Sequence, residues 1–295
     1  MQQDIRARLK KINIITRRLM RTSLIGDYLS AFKGSGMEFD QLREYVPGDD
    51  VRSIDWYGSL KADKTMVKQF VEERDRTVIV MLDLSASTFF SSQSQLKRDL
   101  MVEVASALAF VASNTKDRVG ALLYSDRVEK WIAPSRGRMH VSTILDAMLC
   151  APATHRGSDI GQALRFLAGL KMRQAVVFIL SDFIDDLERV TALLKLANCK
   201  HDCIALRFLD PREQQMPAIG LLEVEDIESG NIVTLDARGQ RKQGDANINT
   251  MLTARMLQQK RLCEAQKIDL LDLQVGKPYL HSLVQFFHQR IRRSI

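Results

Sequence analysis

Residues 78–87 read VIVMLDLSAS: five apolar residues run unbroken into Asp83, and hydroxyls follow at alternate positions, Ser85 and Ser87. An apolar run of this length reads as a strand buried on both faces, as in a parallel sheet. The pattern returns at residues 175–182, where AVVFIL runs into Ser181 and Asp182. In open α/β sheets, ligands sit in the crevice outside the carboxyl ends of the strands. Both strands should therefore deliver a Ser and an Asp to the same edge of one sheet.

The rest of the chain fits such a sheet. Helical periodicity is read at residues 95–113, 139–150, 159–170, 185–197, 247–266 and 278–293, and strands at 118–124, 127–132, 202–209 and 268–275. Residues 221–224 and 232–235 read as a late strand pair. Helices alternating with strands argue for an α/β fold with a doubly wound, mostly parallel sheet. Three parts are expected: an N-terminal extension at 1–76, the main domain at 77–275, and a closing helix at 276–295. Within the extension, residues 65–71 alternate apolar and polar like an edge strand or hairpin arm. Residues 37–56, dense in both charge signs around a Pro47-Gly48 turn, read as a salt-bridged, ordered loop.

The first 33 residues carry eight Lys and Arg against Asp4 and Asp27, with Ile5, Leu9, Ile12 and Leu19 on one helical face. Such a helix suits docking on its own domain, or peripheral contact with a membrane surface or an acidic partner. No apolar run approaches the roughly 20 residues that span a bilayer, and the start lacks the apolar core of a secretory signal. The expected location is the cytoplasm. Four cysteines in 295 residues form no disulfide framework. Cys199 and Cys203 flank His201 without a common zinc spacing, so they read as core residues.

The D-x-S-x-S pattern has its own chemistry. Mg2+ takes an octahedral shell of oxygens and keeps water. Residues leaving a strand in alternation can turn Asp83, Ser85 and Ser87 toward one point. Ser158, after Gly157 at a helix start, adds a hydroxyl, and Asp182 adds a second carboxylate. Hydroxyls as direct ligands leave the ion electron-poor, ready for an Asp or Glu from a partner. That is an adhesive site rather than a catalytic one. The same residue types also suit capping: Asp83 and Ser85 at the following turn, and Asp182 at the helix near 185.

These residues resemble the metal-ion-dependent adhesion site of von Willebrand factor A-type domains. The likeness runs from about residue 77 to 275. The preceding segment, EF-x-x-LREY-x-PGDD-x-R-x-IDW and then VKQFVEERD, resembles the bacterial family filed as domain of unknown function fifty-eight. That resemblance implies an A-type fold whose first and fourth strands are neighbours at the switch point. It also implies Mg2+ (or Mn2+ or Ca2+) at Asp83, Ser85, Ser87, Ser158 and Asp182. The implied partner is a MoxR-type AAA+ ATPase or its client, in chaperone-like assembly or maturation. One position departs from the pattern: Gly157-Ser158 stands where such sites usually have Gly-Thr, and Thr is the stiffer at χ1.

Other classes find less in the sequence. A D-x-D phosphotransferase motif fails at Ser85, and there is no P-loop, G-x-S-x-G or H-E-x-x-H. His140, His155, His201, His281 and His288 are scattered. A non-enzymatic role is expected. The alternative is a basic nucleic-acid- or membrane-surface-binding protein with no functional metal site. It rests on the net charge of +7, the N-terminus, and Arg290, Arg292 and Arg293. Aromatics make up only 6% and do not interleave with basic residues as stacking platforms do.

Overall fold

The computed structural model describes residues 24–32, 37–72, 76–151, 157–184, 187–215, 220–225, 232–236 and 248–293. Of the basic helix expected within residues 1–33, residues 1–23 and 33 lie outside the described residues, as does His155. The chain divides into two compact units, Phe32–Arg76 on the one hand, and Met1–Ala31 with Thr77–Ile295 on the other. The main unit includes the described helix α1 (Leu24–Ala31).

In the smaller unit, β1 (Met37–Glu44) pairs antiparallel with β2 (Met66–Glu72). Between them lie a single 3-10 turn (Val51–Ser53) and helix α2 (Trp56–Ala62). The arm at 65–71 is borne out, but the expected loop at 37–56 is mostly regular structure. Local forces explain the departure. Asp55 caps α2 by accepting the Tyr57 and Gly58 N–H groups. Ser59 accepts the Met66 N–H at 2.8 Å and so ties the helix to β2. Gly58 leaves room for Leu42, whose Cδ1 would lie 2.6 Å from an added Cβ. The salt bridge expected in this segment is present, with Arg43 bidentate to Asp49 at 2.8 and 2.6 Å.

The main unit continues with β3 (Thr77–Asp83), α3 (Lys97–Asn114), β4 (Arg118–Tyr124), β5 (Val128–Ser135), α4 (Arg138–Cys150), α5 (Ile160–Gly169) and β6 (Val176–Ser181). Then come α6 (Leu187–Lys200), β7 (Asp202–Leu209), the short α7 (Pro211–Gln214), the pair β8 (Leu221–Glu225) and β9 (Ile232–Asp236), α8 (Ile248–Ala265), β10 (Asp269–Gln274) and α9 (Tyr279–Arg293). The six-stranded sheet has the order β10-β7-β6-β3-β4-β5. All its pairings are parallel except β4 with the edge strand β5. This is the doubly wound, mostly parallel α/β sheet expected. Its first and fourth strands, β3 and β6, are neighbours, as the A-type resemblance implies.

The centre of the sheet is buried on both faces. Ile79 and Met81 of β3, Val177 and Ile179 of β6, and Leu122 of β4 pack with Ile160, Leu164 and Leu167 of α5 and Leu194 of α6. Alternate residues of the same strands, Val78, Val80, Leu82 and Phe178, are equally buried. Each such side chain removed from water contributes about 1.5–3 kcal/mol. α1 lies on α9, with the Tyr28 and Phe287 rings edge to face at 5.9 Å. Arg207 of β7 is buried and holds Asp272 at 2.7 and 2.9 Å and Gln259 at 2.6 Å.

Candidate metal and partner site

In register, Leu82 lies beside Leu180, so Asp83 and Ser181 come next along neighbouring parallel strands. The backbone then leaves the sheet. Leu84 N–H donates to Tyr124 O at 2.7 Å, and a 3-10 turn (Ala86–Phe89) follows. The Asp83 carboxylate is fully buried. Its Oδ1 accepts the Ser85 N–H at 2.8 Å, while its Oδ2 accepts Ser181 Oγ at 2.7 Å and Ser158 Oγ at 3.3 Å. The hydroxyls of Ser85 and Ser87 lie 3.0 Å apart.

The topology therefore brings Asp83, Ser85, Ser87 and Ser158 together. Asp182 follows Ser181 at the same edge, yet its oxygens face elsewhere: Oδ2 accepts from the Lys97 ammonium at 2.7 Å, and Oδ1 from the Ile184 N–H at 3.4 Å. The capping alternative holds in part, since the Asp83 and Asp182 contacts with Ser85 and Ile184 are local Asx-type bonds. It does not account for Ser158 and Ser181, which reach Asp83 across 75 and 98 residues of chain.

Electrostatics follow from burial. The Asp83 carboxyl is pushed up to about 7, first by desolvation and then by repulsion from Asp182; hydrogen bonds from Ser181 and Ser85 oppose the rise. A carboxylate held in this way favours a nearby cation. The oxygens fit one. Bonds of about 2.1 Å in an octahedral shell place neighbouring oxygens about 3 Å apart, close to the Ser85–Ser87 and Ser158–Asp83 spacings. The donor set is hard oxygen throughout, which suits Mg2+ or Mn2+. Among the described residues no three His, Cys, Asp or Glu side chains cluster to hold a metal, so any such ion would lean on hydroxyls.

Sequence reading missed Lys97 and Glu213. Lys97 opens α3 with 0% exposure and places its ammonium 2.7 Å from both Asp182 and Glu213. Burial lowers its pKa, but the two carboxylates more than offset this and the net shift is upward. The one sequence signal was a lysine in a first helical turn, where acidic residues are favoured. Asp210 is a second anchor. It accepts the Ser92 N–H at 2.8 Å and Oγ at 2.5 Å, fastening the loop that follows Ser87. Asp210 and Glu213 also form the capping box of α7.

Of the basic residues behind the alternative reading, Arg290 is bonded to Asp202 and Asp269, and Arg293 to Asp269. No helix among the described residues is long and apolar enough to cross a membrane.

Comparison with known proteins agrees with the fold. The model of the family described as "Protein of unknown function DUF58" matches residues 41–251. The uncharacterized protein Rv1480 of Mycobacterium tuberculosis is 29% identical over 292 residues, which is 98% of this chain and 90% of that one. Among solved structures, an aerotolerance-related membrane protein from Bacteroides fragilis gives a TM-score of 0.50 at 13% identity, over 74% of this chain and 99% of that chain. The SpRpn10 VWA domain gives a TM-score of 0.40 at 11% identity, over 71% of this chain and 93% of its own. At 13% identity, the likeness to the Bacteroides fragilis structure speaks to the fold alone.

Proposed function

We propose, from the premise that this chain belongs to the DUF58 family, that it is a protein-binding module. In this reading its partner docks on the edge formed by Asp83, Ser85, Ser87 and Ser158 through a divalent cation. One observation carries the reading. Asp83, Ser85 and Ser87 from one stretch and Ser158 from another converge, with oxygens 3.0 Å apart at Ser85–Ser87 and 3.3 Å apart at Ser158–Asp83, near octahedral spacing, and the Asp83 carboxylate is fully buried.

Ser85, Ser87 and Ser158 would hold the ion directly. Asp83 orients two of these residues, through the Ser85 N–H and the Ser158 hydroxyl, and Asp182 contributes charge from behind. A bound Mg2+ supplies an electrophilic position that a partner's Asp or Glu completes. The Ser181 hydroxyl and the buried β3 and β6 tips keep the cradle rigid whether or not a partner is present. The role is adhesion, not catalysis, and its place is the cytoplasm. Following the family resemblance, the partner proposed is a MoxR-type AAA+ ATPase or a client that it remodels.

The test uses the purified full chain. Mn2+ binding is measured by titration calorimetry for wild type, Asp83→Asn and the Ser85→Ala/Ser87→Ala double variant. Capture of the ATPase is measured with Mg2+ and with chelator. Binding by wild type that both variants lose, together with capture that chelator abolishes, supports the proposal. Capture that is indifferent to chelator and to Asp83→Asn overturns it.

A further inference from the structure

Lys97 has no ordinary reason to be where it is. A helix N-terminus carries a partial positive charge and disfavours cations in its first turn. A buried lysine also loses its hydration, which is costly unless it is paired. Yet Lys97 opens α3 with 0% exposure, and its Nζ lies 2.7 Å from Asp182 Oδ2, 2.7 Å from Glu213 Oε1 and 5.8 Å from the Phe90 ring centroid. Glu213 is itself fixed, since its other oxygen accepts the Asp210 N–H at 3.1 Å. The ammonium thus bridges the tip of β6 to the helix that follows β7.

This pairing changes what the neighbouring cradle offers. Asp182 stands next to Ser181, which bonds Asp83 directly. Its repulsion is felt at Asp83. A divalent cation at the hydroxyls would therefore feel both Asp182 and the ammonium behind it. At this depth charges are weakly screened. The ammonium cancels part of the attraction that Asp182 would exert, and it turns one Asp182 oxygen away from the hydroxyls.

We infer that Lys97 is a resident counter-cation of this site and sets its affinity for a divalent ion. It keeps Asp182 and Glu213 neutralised while the site is empty. It also holds ion affinity low, so that tight binding waits for a partner carboxylate. The inference rests on the metal reading above and assigns a residue outside the D-x-S-x-S pattern the control of that reading.

Mn2+ titration of the full chain tests it, with thermal midpoints recorded in parallel. Lys97→Met removes the ammonium and leaves Asp182 unpaired. It is expected to bind Mn2+ at least about tenfold more tightly than wild type and to gain more in thermal midpoint on adding Mn2+. If Lys97→Met, with its buried carboxylates unpaired, does not fold without metal, the Lys97→Met/Glu213→Gln double variant relieves one of them and should also bind more tightly than wild type. Glu213→Gln alone keeps the ammonium and should bind no more tightly than wild type. A folded Lys97→Met or double variant that binds Mn2+ no better than wild type overturns the role given to Lys97, while wild-type binding leaves the metal reading standing. Absence of Mn2+ binding in wild type and in every variant overturns both.

Discussion

The Ser181 hydroxyl donates to Asp83 Oδ2 at 2.7 Å, joining the ends of two neighbouring parallel strands 98 residues apart in sequence. Both groups are buried, so the bond is poorly exchanged for water. Ser181→Ala should leave the carboxylate short of a donor and cost about 1–3 kcal/mol, read as a lower urea midpoint at unchanged slope. The Asp83 carboxyl should also become harder to ionise, since this hydrogen bond opposes the rise caused by burial.

Asp210 should matter to the site without touching it. It accepts from the Ser92 N–H and Oγ and from the Arg212 N–H. Burial raises its pKa, but these donors outweigh that and hold it below the usual carboxylate range. Asp210→Ala should release the loop after Ser87. Faster amide exchange is expected at Ser92 and its neighbours, with amides of β3 unchanged. Equal acceleration throughout the sheet would show a global effect instead.

His201 should make the fold sensitive to acid. It is buried, and its Nδ1 accepts the Ala175 N–H at 3.3 Å, while Nε2 has no partner among the described residues. Burial, and then the Lys200 charge, lower its pKa. The folded protein therefore takes up this proton only at lower pH than the unfolded chain, which protonates the ring below about 6.5. Protons thus favour the unfolded chain, and this contribution to stability is present above about 6.5 and is lost as pH falls below it. His201→Gln, which keeps an acceptor and does not titrate, should lose less stability than wild type between pH 7 and pH 5. Parallel urea midpoints at the two pH values are the measurement.

Gly120 should be intolerant of any side chain. A Cβ there would meet Pro134 Cγ at 2.9 Å and Ile132 O at 3.0 Å, both on the adjoining edge strand β5. Backbone cannot yield as a flexible side chain does, so Gly120→Ala should cost about 1–3 kcal/mol. The loss should come with weaker exchange protection along Val128–Ser135.

How much of this was open to reading depended on range. The burial of β3 and β6 was legible because an unbroken apolar run reports it locally, and their shared edge followed from parallel pairing. The gathering of Asp83 and Ser85 was expected from residue type and strand position, and that of Ser158 from its place after Gly157 at a helix start. The structure of residues 37–62 was not foreseen, unlike the arm at 65–71. Its strand and helix are fixed by contacts such as Ser59 with Met66 and Gly58 with Leu42, which a dense mixture of charges does not announce.

By itself the amino-acid order determined the sheet and which of its edges would carry polar chemistry, because hydrophobic periodicity acts over a few residues. Only the tertiary structure decided that Ser181, not Asp182, reaches Asp83, and that Lys97 takes Asp182 for itself. Alternate residues of a strand point to opposite faces, so which of two adjacent side chains turns inward depends on the neighbouring strand's register. A lysine 85 residues away becomes a counter-ion only once the helix that bears it has packed against that strand's tip.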